Sequence, residues 1–361
     1  MAARPLTDGT AATSPPATRR YGLLLPALLA VVLAGGLLLA QRRIDFTVNE
    51  EGFLWYGALA VAHGDVPFRD FYSYDPGRYY WAAAWTPLAG EGLLGLRLAT
   101  SAFTALGLFC GLLAARRSVR SPLALAALGV VLTLWLLPRN KLYEPAITMT
   151  AVLAAVTLIE RPTPRRHLAA GALVGFGVFM GKNHGLYLGV AFLALILLLH
   201  WRRAPAGGLD ATDPDAGDPD AGEPDASEPD AGSLRRLVRN FAAWIAGMAL
   251  GASPLLAMLA FVPGFARAYV DSIRFFLEQG QTNFPRPVPW PWRFALAGVP
   301  PWTAAQFLGI GVCFALTVAF FTLGGLALLT RAGRRLQANP LLTAALLVGA
   351  VYTHHAFSRP D

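Results

Sequence analysis

The stretch from Asn49 to Trp81 mixes acids, aromatics and arginines in a way that membrane packing alone does not require. It opens on two adjacent carboxylates, Glu50 and Glu51. A carboxylate beside a hydroxyl can take its proton, a contribution of about 10²–10⁴-fold to a rate. Two neighbouring carboxylates disfavour joint ionisation, which raises one of their pKa values towards neutrality. The competing reading is that the pair caps or solvates the start of an interfacial helix, where acids suit the dipole. A short apolar helical run, Gly52–His63, follows, and then the turn-rich segment Gly64-Asp-Val-Pro-Phe-Arg-Asp70.

Cations that could meet a developing anion lie further along. The chain has two lysines, Lys141 and Lys182, against 28 arginines, and both lysines fall between apolar runs. An oriented cation in a site that excludes water can supply several kcal/mol, whereas a lysine at a helix end can also simply snorkel to headgroups. Arg78, Arg139 and Arg359 are further candidates, and Glu144 could orient a hydroxyl group. His184, His354 and His355 are expected on the same side, but adjacent His354 and His355 would point apart on a helix. No metal site is indicated, and a divalent cation is left open.

These residues must be held by membrane helices. The chain is 55% hydrophobic and 14% charged, against about 25% charged in a soluble domain. The net charge of +8 lies in small clusters between apolar runs, a pattern of membrane orientation and not of nucleic-acid binding. Cys110 and Cys313 sit inside apolar runs, so neither a disulfide framework nor a zinc site is expected. Apolar runs predict about nine transmembrane helices: 21–40, 92–114, 122–137, 144–159, 168–181, 185–200, 240–262, 304–330 and 340–356. With a cytoplasmic N-terminus, the connections Arg116–Arg120, Glu160–His167, Trp201–Arg239 and Arg331–Arg335 all face the cytoplasm. Each carries at least three arginines near a span end, as the positive-inside rule requires. Loop 41–80 falls on the other side. The expected architecture is an all-α integral membrane protein of the plasma or inner membrane, with two large extracytoplasmic loops bearing interfacial helices.

Residues 1–20 read as a disordered cytoplasmic tail and 21–204 as an N-terminal transmembrane module. Residues 205–233 repeat a Pro-Asp-Ala unit and bury nothing, which predicts a disordered linker. Residues 234–361 form a C-terminal transmembrane module; its abrupt end fits a truncated chain or a natural short form. Within it, 264–303 is the second large loop. Gly264–Glu278 reads as an amphipathic helix, and Trp290 and Trp292 as an interfacial collar. Few charges fall inside spans, Arg97 being the main exception.

Residues 45–81 resemble the first outer loop of the GT-C superfamily of membrane glycosyltransferases, which includes the protein O-mannosyltransferases and the lipid A aminoarabinose transferases. There an acidic pair, often Asp-Glu, follows the first helix, and a pattern like G-x-x-P-Y-x-D-F and a Pro- and Tyr-rich segment come next. Here Glu50-Glu51 and Gly64-Asp-Val-Pro-Phe-Arg-Asp-Phe71 stand in those places; Glu50 departs from the usual Asp, keeping the charge on a longer arm. The resemblance implies an inverting transfer of sugar from a polyprenyl-phosphate donor to a lipid, glycan or protein acceptor, among membrane lipids. It casts Glu50 and Glu51 as catalytic. It casts Asp70, Tyr74, Asp75, Arg78, Arg139, Lys141, Glu144, Lys182, His184, His355 and Arg359 as substrate-binding. A transporter or flippase of lipid-linked saccharides is the alternative, and it would need polar residues lining a path through the spans. A scaffold without chemistry would leave these side chains scattered.

Overall fold

The computed structural model describes residues 17–42, 44, 48–136, 143–201, 231–279, 288–330 and 338–358. Among them the regular elements are helical, apart from one bridge between Pro67 and Phe71. The helices are α1 (Ala17–Gln41), α2 (Phe53–Ala62), α3 (Pro76–Ala83), α4 (Thr86–Ala89), α5 (Leu93–Ala115), α6 (Pro122–Trp135) and α7 (Glu144–Glu160). They continue with α8 (Pro164–Met180), α9 (Lys182–Trp201), α10 (Ala231–Gly251), α11 (Ser253–Phe261), α12 (Phe265–Gln279), α13 (Pro301–Leu328) and α14 (Pro340–Ser358). Proline is the first residue of α3, α6, α8, α13 and α14. At that position its missing N–H is no loss and its fixed φ suits the helix.

Four helical stretches are long and apolar enough to cross a membrane: Gly22–Gln41, Leu93–Ala115, Lys182–Trp201 and Pro301–Leu328. Leu234–Gly251 and Ser253–Phe261 make a fifth if they act as one span broken by a 59° bend. Pro254, at the start of α11, places that bend, because proline disrupts the preceding turn. Helices overlap all nine expected segments, four or five of which are long and apolar enough to span. However, α6 has 14 residues and α7 and α8 have 17 each, less than the roughly 20 a hydrocarbon core demands. The expected tail and linker are both shorter at their helical ends. α1 starts at Ala17 and α10 at Ala231, and residues 1–16 and 202–230 lie outside the described residues.

Two cores hold the bundle. α1 packs on α5 and α6 through Ala30, Ala34, Leu108, Leu112 and Leu125. The larger core joins Tyr79, Phe103, Ile147, Val174, Leu188, Phe192 and Trp244 from α3, α5, α7, α8, α9 and α10. α8 and α10 touch through their backbones: a Cβ on Gly171 would lie 2.0 Å from Trp244 O, and one on Gly251 1.9 Å from Ala172 O. Small residues four apart allow this approach in apolar surroundings, where dispersion and not water drives helix association. At one end Arg117 pairs with Glu160 at 2.7 Å, so two of the Arg-rich connections meet. The segment 48–92 lies at the opposite end, with the starts of α7 and α9 and the end of α8.

Candidate functional site

Two charge clusters form at the loop end. The first ties the end of α1 to the start of α2. Arg97, one turn into α5, donates Nε and Nη2 to the two oxygens of Glu51, each at 2.9 Å. Its remaining hydrogens go to the carbonyls of Gln41 (3.1 Å), Arg42 (3.0 Å) and Ile44 (3.1 Å). A guanidinium has five N–H donors, and all five are thus occupied. Glu51 is 2% exposed. Arg97 satisfies carbonyls that the end of α1 would otherwise leave without partners. The pair also lines a cavity with Ala34, Leu38, Thr100, Ser101 and Thr104. Glu50 lies in the π-turn Val48–Gly52 beside it; its side chain is outside what is described.

The second cluster gathers side chains from α3, α7, α9 and α14. A turn sets it up. Gly64 has φ 103° and Phe68 φ 66°, and a bulky residue in the left-handed region costs about 1–3 kcal/mol. Three bonds hold the turn: Val66 N to Asp70 Oδ2 at 2.7 Å, Asp70 N to Val66 O at 2.9 Å, and Phe68 N to Ser73 Oγ at 2.8 Å. Asp70 is also held by Arg69 at 2.7 Å. That guanidinium, with the Val66 amide, brings its carboxyl down to about 2. Asp70 is therefore a brace of the turn. Tyr74 is pinned through its amide to the buried Tyr79 hydroxyl, 2.9 Å.

Asp75 sits at the N-cap of α3, but its carboxylate reaches across to α9. Its Oδ2 accepts from the Lys182 amide at 3.1 Å, and its Oδ1 lies 2.9 Å from Lys182 Nζ, off the angle of a good hydrogen bond. Lys182 Nζ also faces the rings of Phe68 (4.6 Å) and Tyr269 (5.3 Å), an arrangement that attracts a cation to the ring quadrupole. Burial, aided by Asp75, pushes the Tyr269 phenol up to about 12, so it stays neutral. The strained Phe68 thus places one wall of the lysine's surroundings, and α12 supplies the other. Of the expected apolar face of α12, Phe265 is buried, while Val270 is 45% exposed and faces away.

Arg78 is the hub. Its Nη2 lies 2.9 Å from Glu144 Oε1, and its Nε donates to Met180 O at 2.8 Å. The rings of Tyr74 and Tyr143 lie 5.6 and 5.9 Å from its guanidinium carbon. Gly77 makes the bond to Met180 possible: a Cβ there would stand 2.7 Å from Phe179 O. Nη1 makes no hydrogen bond among the described residues. His184 lies on the far side of Glu144, Nε2 to Oε1 3.8 Å.

The structure thus brings together Tyr74, Asp75, Arg78, Glu144, Lys182 and His184. It places Glu51 in the Arg97 clamp and Asp70 in the turn. Arg139, Lys141 and Arg359 lie outside the described residues, as does the side chain of His355. Tyr352 and His354 of α14 were not singled out as binding residues, yet they contact this cluster through His184 and Tyr187. Their signal in the sequence was a Tyr-Thr-His-His run at the end of an apolar span. Among the described residues no three His, Cys, Asp or Glu side chains are grouped to hold a metal ion. Comparison with known protein families, characterised proteins and solved structures finds no match.

Proposed function

We propose that this chain is an inverting membrane glycosyltransferase of the GT-C type, with nine spans, a cytoplasmic N-terminus and its site at the outer face of the cell membrane. The donor is a sugar on a polyprenyl phosphate; the acceptor is a hydroxyl of a lipid, glycan or protein. One observation carries the reading: Arg78, Glu144, His184, Asp75 and Lys182 come from three separate segments and meet at the end of the bundle that bears the acidic pair. Scattered loop charges would have no reason to do so.

In this reading the acceptor oxygen attacks the anomeric carbon as the bond from that carbon to the phosphate oxygen breaks. The polyprenyl phosphate leaves with the bonding electrons, and a carboxylate takes the acceptor's proton. Glu51 is occupied by Arg97, so the base is Glu50. Arg78, held by Glu144 and Met180 O with Nη1 to spare, binds the leaving phosphate, which a planar guanidinium suits. Lys182 adds positive charge beside it.

The test is transfer of radiolabelled sugar from a polyprenyl-phosphate donor in reconstituted membranes. Glu50→Gln is expected to lower the rate by at least about 10²-fold with thermal stability kept, and Arg78→Lys to lower it by about 10²-fold in the protein that remains folded. Full transfer by both variants would sink the proposal.

A further inference from the structure

The end of α14 reaches His184 from 168 positions away in the chain. His184 is 4% exposed. Its Nδ1 lies 3.1 Å from the Tyr352 hydroxyl, and the two rings stack at 5.9 Å and 21°. Its Nε2 faces the Glu144 carboxylate at 3.8 Å. That distance exceeds a hydrogen bond, but its sign is decisive. A carboxylate held by Arg78 presents only lone pairs, so a ring nitrogen aimed at it is favoured as N–H and repelled as a bare imine. The proton of neutral His184 therefore sits on Nε2, and Nδ1 is left as an acceptor.

The Tyr352 hydroxyl is the donor placed to fill it. With Nδ1 an acceptor, the single phenolic proton of Tyr352 is the one that can fill it. Tyr187 and His354, paired at 3.2 Å, close the α9–α14 side.

We propose that Tyr352 is a positioning residue: by donating to Nδ1 it holds the imidazole with the Nε2–H that Glu144 favours aimed at that carboxylate, which keeps Glu144 on Arg78. The inference rests on the reading of Arg78 as the phosphate ligand, and it makes α14 part of the site. A hydrogen bond that sets a histidine's tautomer controls what its other nitrogen can do.

The experiment is nitrogen NMR of the full chain, labelled with ¹⁵N-histidine, in lipid bilayers at neutral pH without any sugar donor. His184→Gln assigns the signal among the six histidines. The expected spectrum has Nε2 protonated and Nδ1 bare but shifted upfield by its hydrogen bond. Tyr352→Phe should move Nδ1 downfield and leave Nε2 protonated. In the wild type a proton–nitrogen correlation from the Tyr352 hydroxyl to Nδ1 is expected, which keeps the test alive if Tyr352→Phe does not fold. A proton on Nδ1 of neutral wild-type His184, or an Nδ1 signal that Tyr352→Phe does not move and that shows no correlation with that hydroxyl, overturns the proposal. Because no transfer is measured, such a result stands apart from the fate of the glycosyltransferase reading.

Discussion

Arg97 and Arg78 each lie largely buried with a glutamate oxygen at 2.9 Å, but their other donors go to different ends. Arg97 gives its remaining hydrogens to three carbonyls at the α1 exit. Arg78 gives Nε to Met180 O and leaves Nη1 without a hydrogen bond among the described residues. Counting donors separates a lock from a grip more surely than burial or charge does. A guanidinium with every hydrogen occupied fixes backbone; one with an unused edge can still take a phosphate. The same count places Glu51 in the lock, and its neighbour Glu50 is the base we propose.

The largest expected effect lies on the lock. Arg97→Leu leaves Glu51 buried without its guanidinium and three carbonyls without their donor. Breaking one side of a buried pair costs about 3–5 kcal/mol, so the unfolding midpoint in detergent should fall steeply. A loss below about 1 kcal/mol, the scale of an exposed pair, would erase the distinction. Glu51→Gln should cost less, about 1–3 kcal/mol, the penalty of an imperfectly satisfied buried group. Its remaining folded fraction should still transfer sugar, whereas Glu50→Gln should stay stable and lose transfer. If Glu51→Gln silences folded protein and Glu50→Gln does not, the two roles are exchanged.

The sequence showed where chemistry could sit, because acids, Lys182 and Arg78 stand out against an apolar background. It did not show who pairs with whom. Glu51 and Arg97 are 46 positions apart, and Arg78 and Met180 are 102 apart; only folding brings them together. Adjacent Glu50 and Glu51 were inseparable by type; the structure gives Glu51 its partner, Arg97. Arg97 was visible as a lone charge in an apolar run, and its counter-ion was the missing half. Tyr352 was hidden because an aromatic near a span end is ordinary membrane anchoring. Likewise the apolar runs marked where helices form but not how many span: four, or five with the bent α10–α11 pair, are long and apolar enough, and whether helices as short as α6, α7 and α8 could cross depends on tilt and local bilayer thickness, which no residue type encodes.

A smaller effect tests how firmly the grip is built. Lys182→Met keeps an apolar stem between Phe68 and Tyr269 but removes the cation from both rings and from Asp75. Cation–π contacts of this kind contribute about 0.5–2 kcal/mol. Hydrogen exchange should therefore quicken in α12 and in the Gly64–Asp70 turn, with little change around Arg97. Unaltered exchange in α12 would mean that Phe265, which is fully buried, holds that helix by itself.

The smallest effect concerns Asp70. Its carboxyl is lowered from 3.8 to about 2, chiefly by the Arg69 side chain and then by the Val66 amide. A group whose folded pKa is depressed stabilises the fold above its unfolded pKa and loses that contribution as pH falls through the folded value. The window therefore runs from about pH 4 down to about pH 2. About a third of each partner's side chain is open, 34% for Arg69 and 30% for Asp70, so solvent and salt screen the pair and the change is small. The expected observation is a slight fall in protection of the Val66 amide across that window, absent in Asp70→Asn. Arg97 and Glu51, closed off from solvent, should show the opposite behaviour: insensitivity to salt at any pH where the chain stays folded. A salt-sensitive Glu51–Arg97 pair would place it with the exposed turn and not with the lock, and the distinction drawn from donor counting would then have to rest on Arg78 alone.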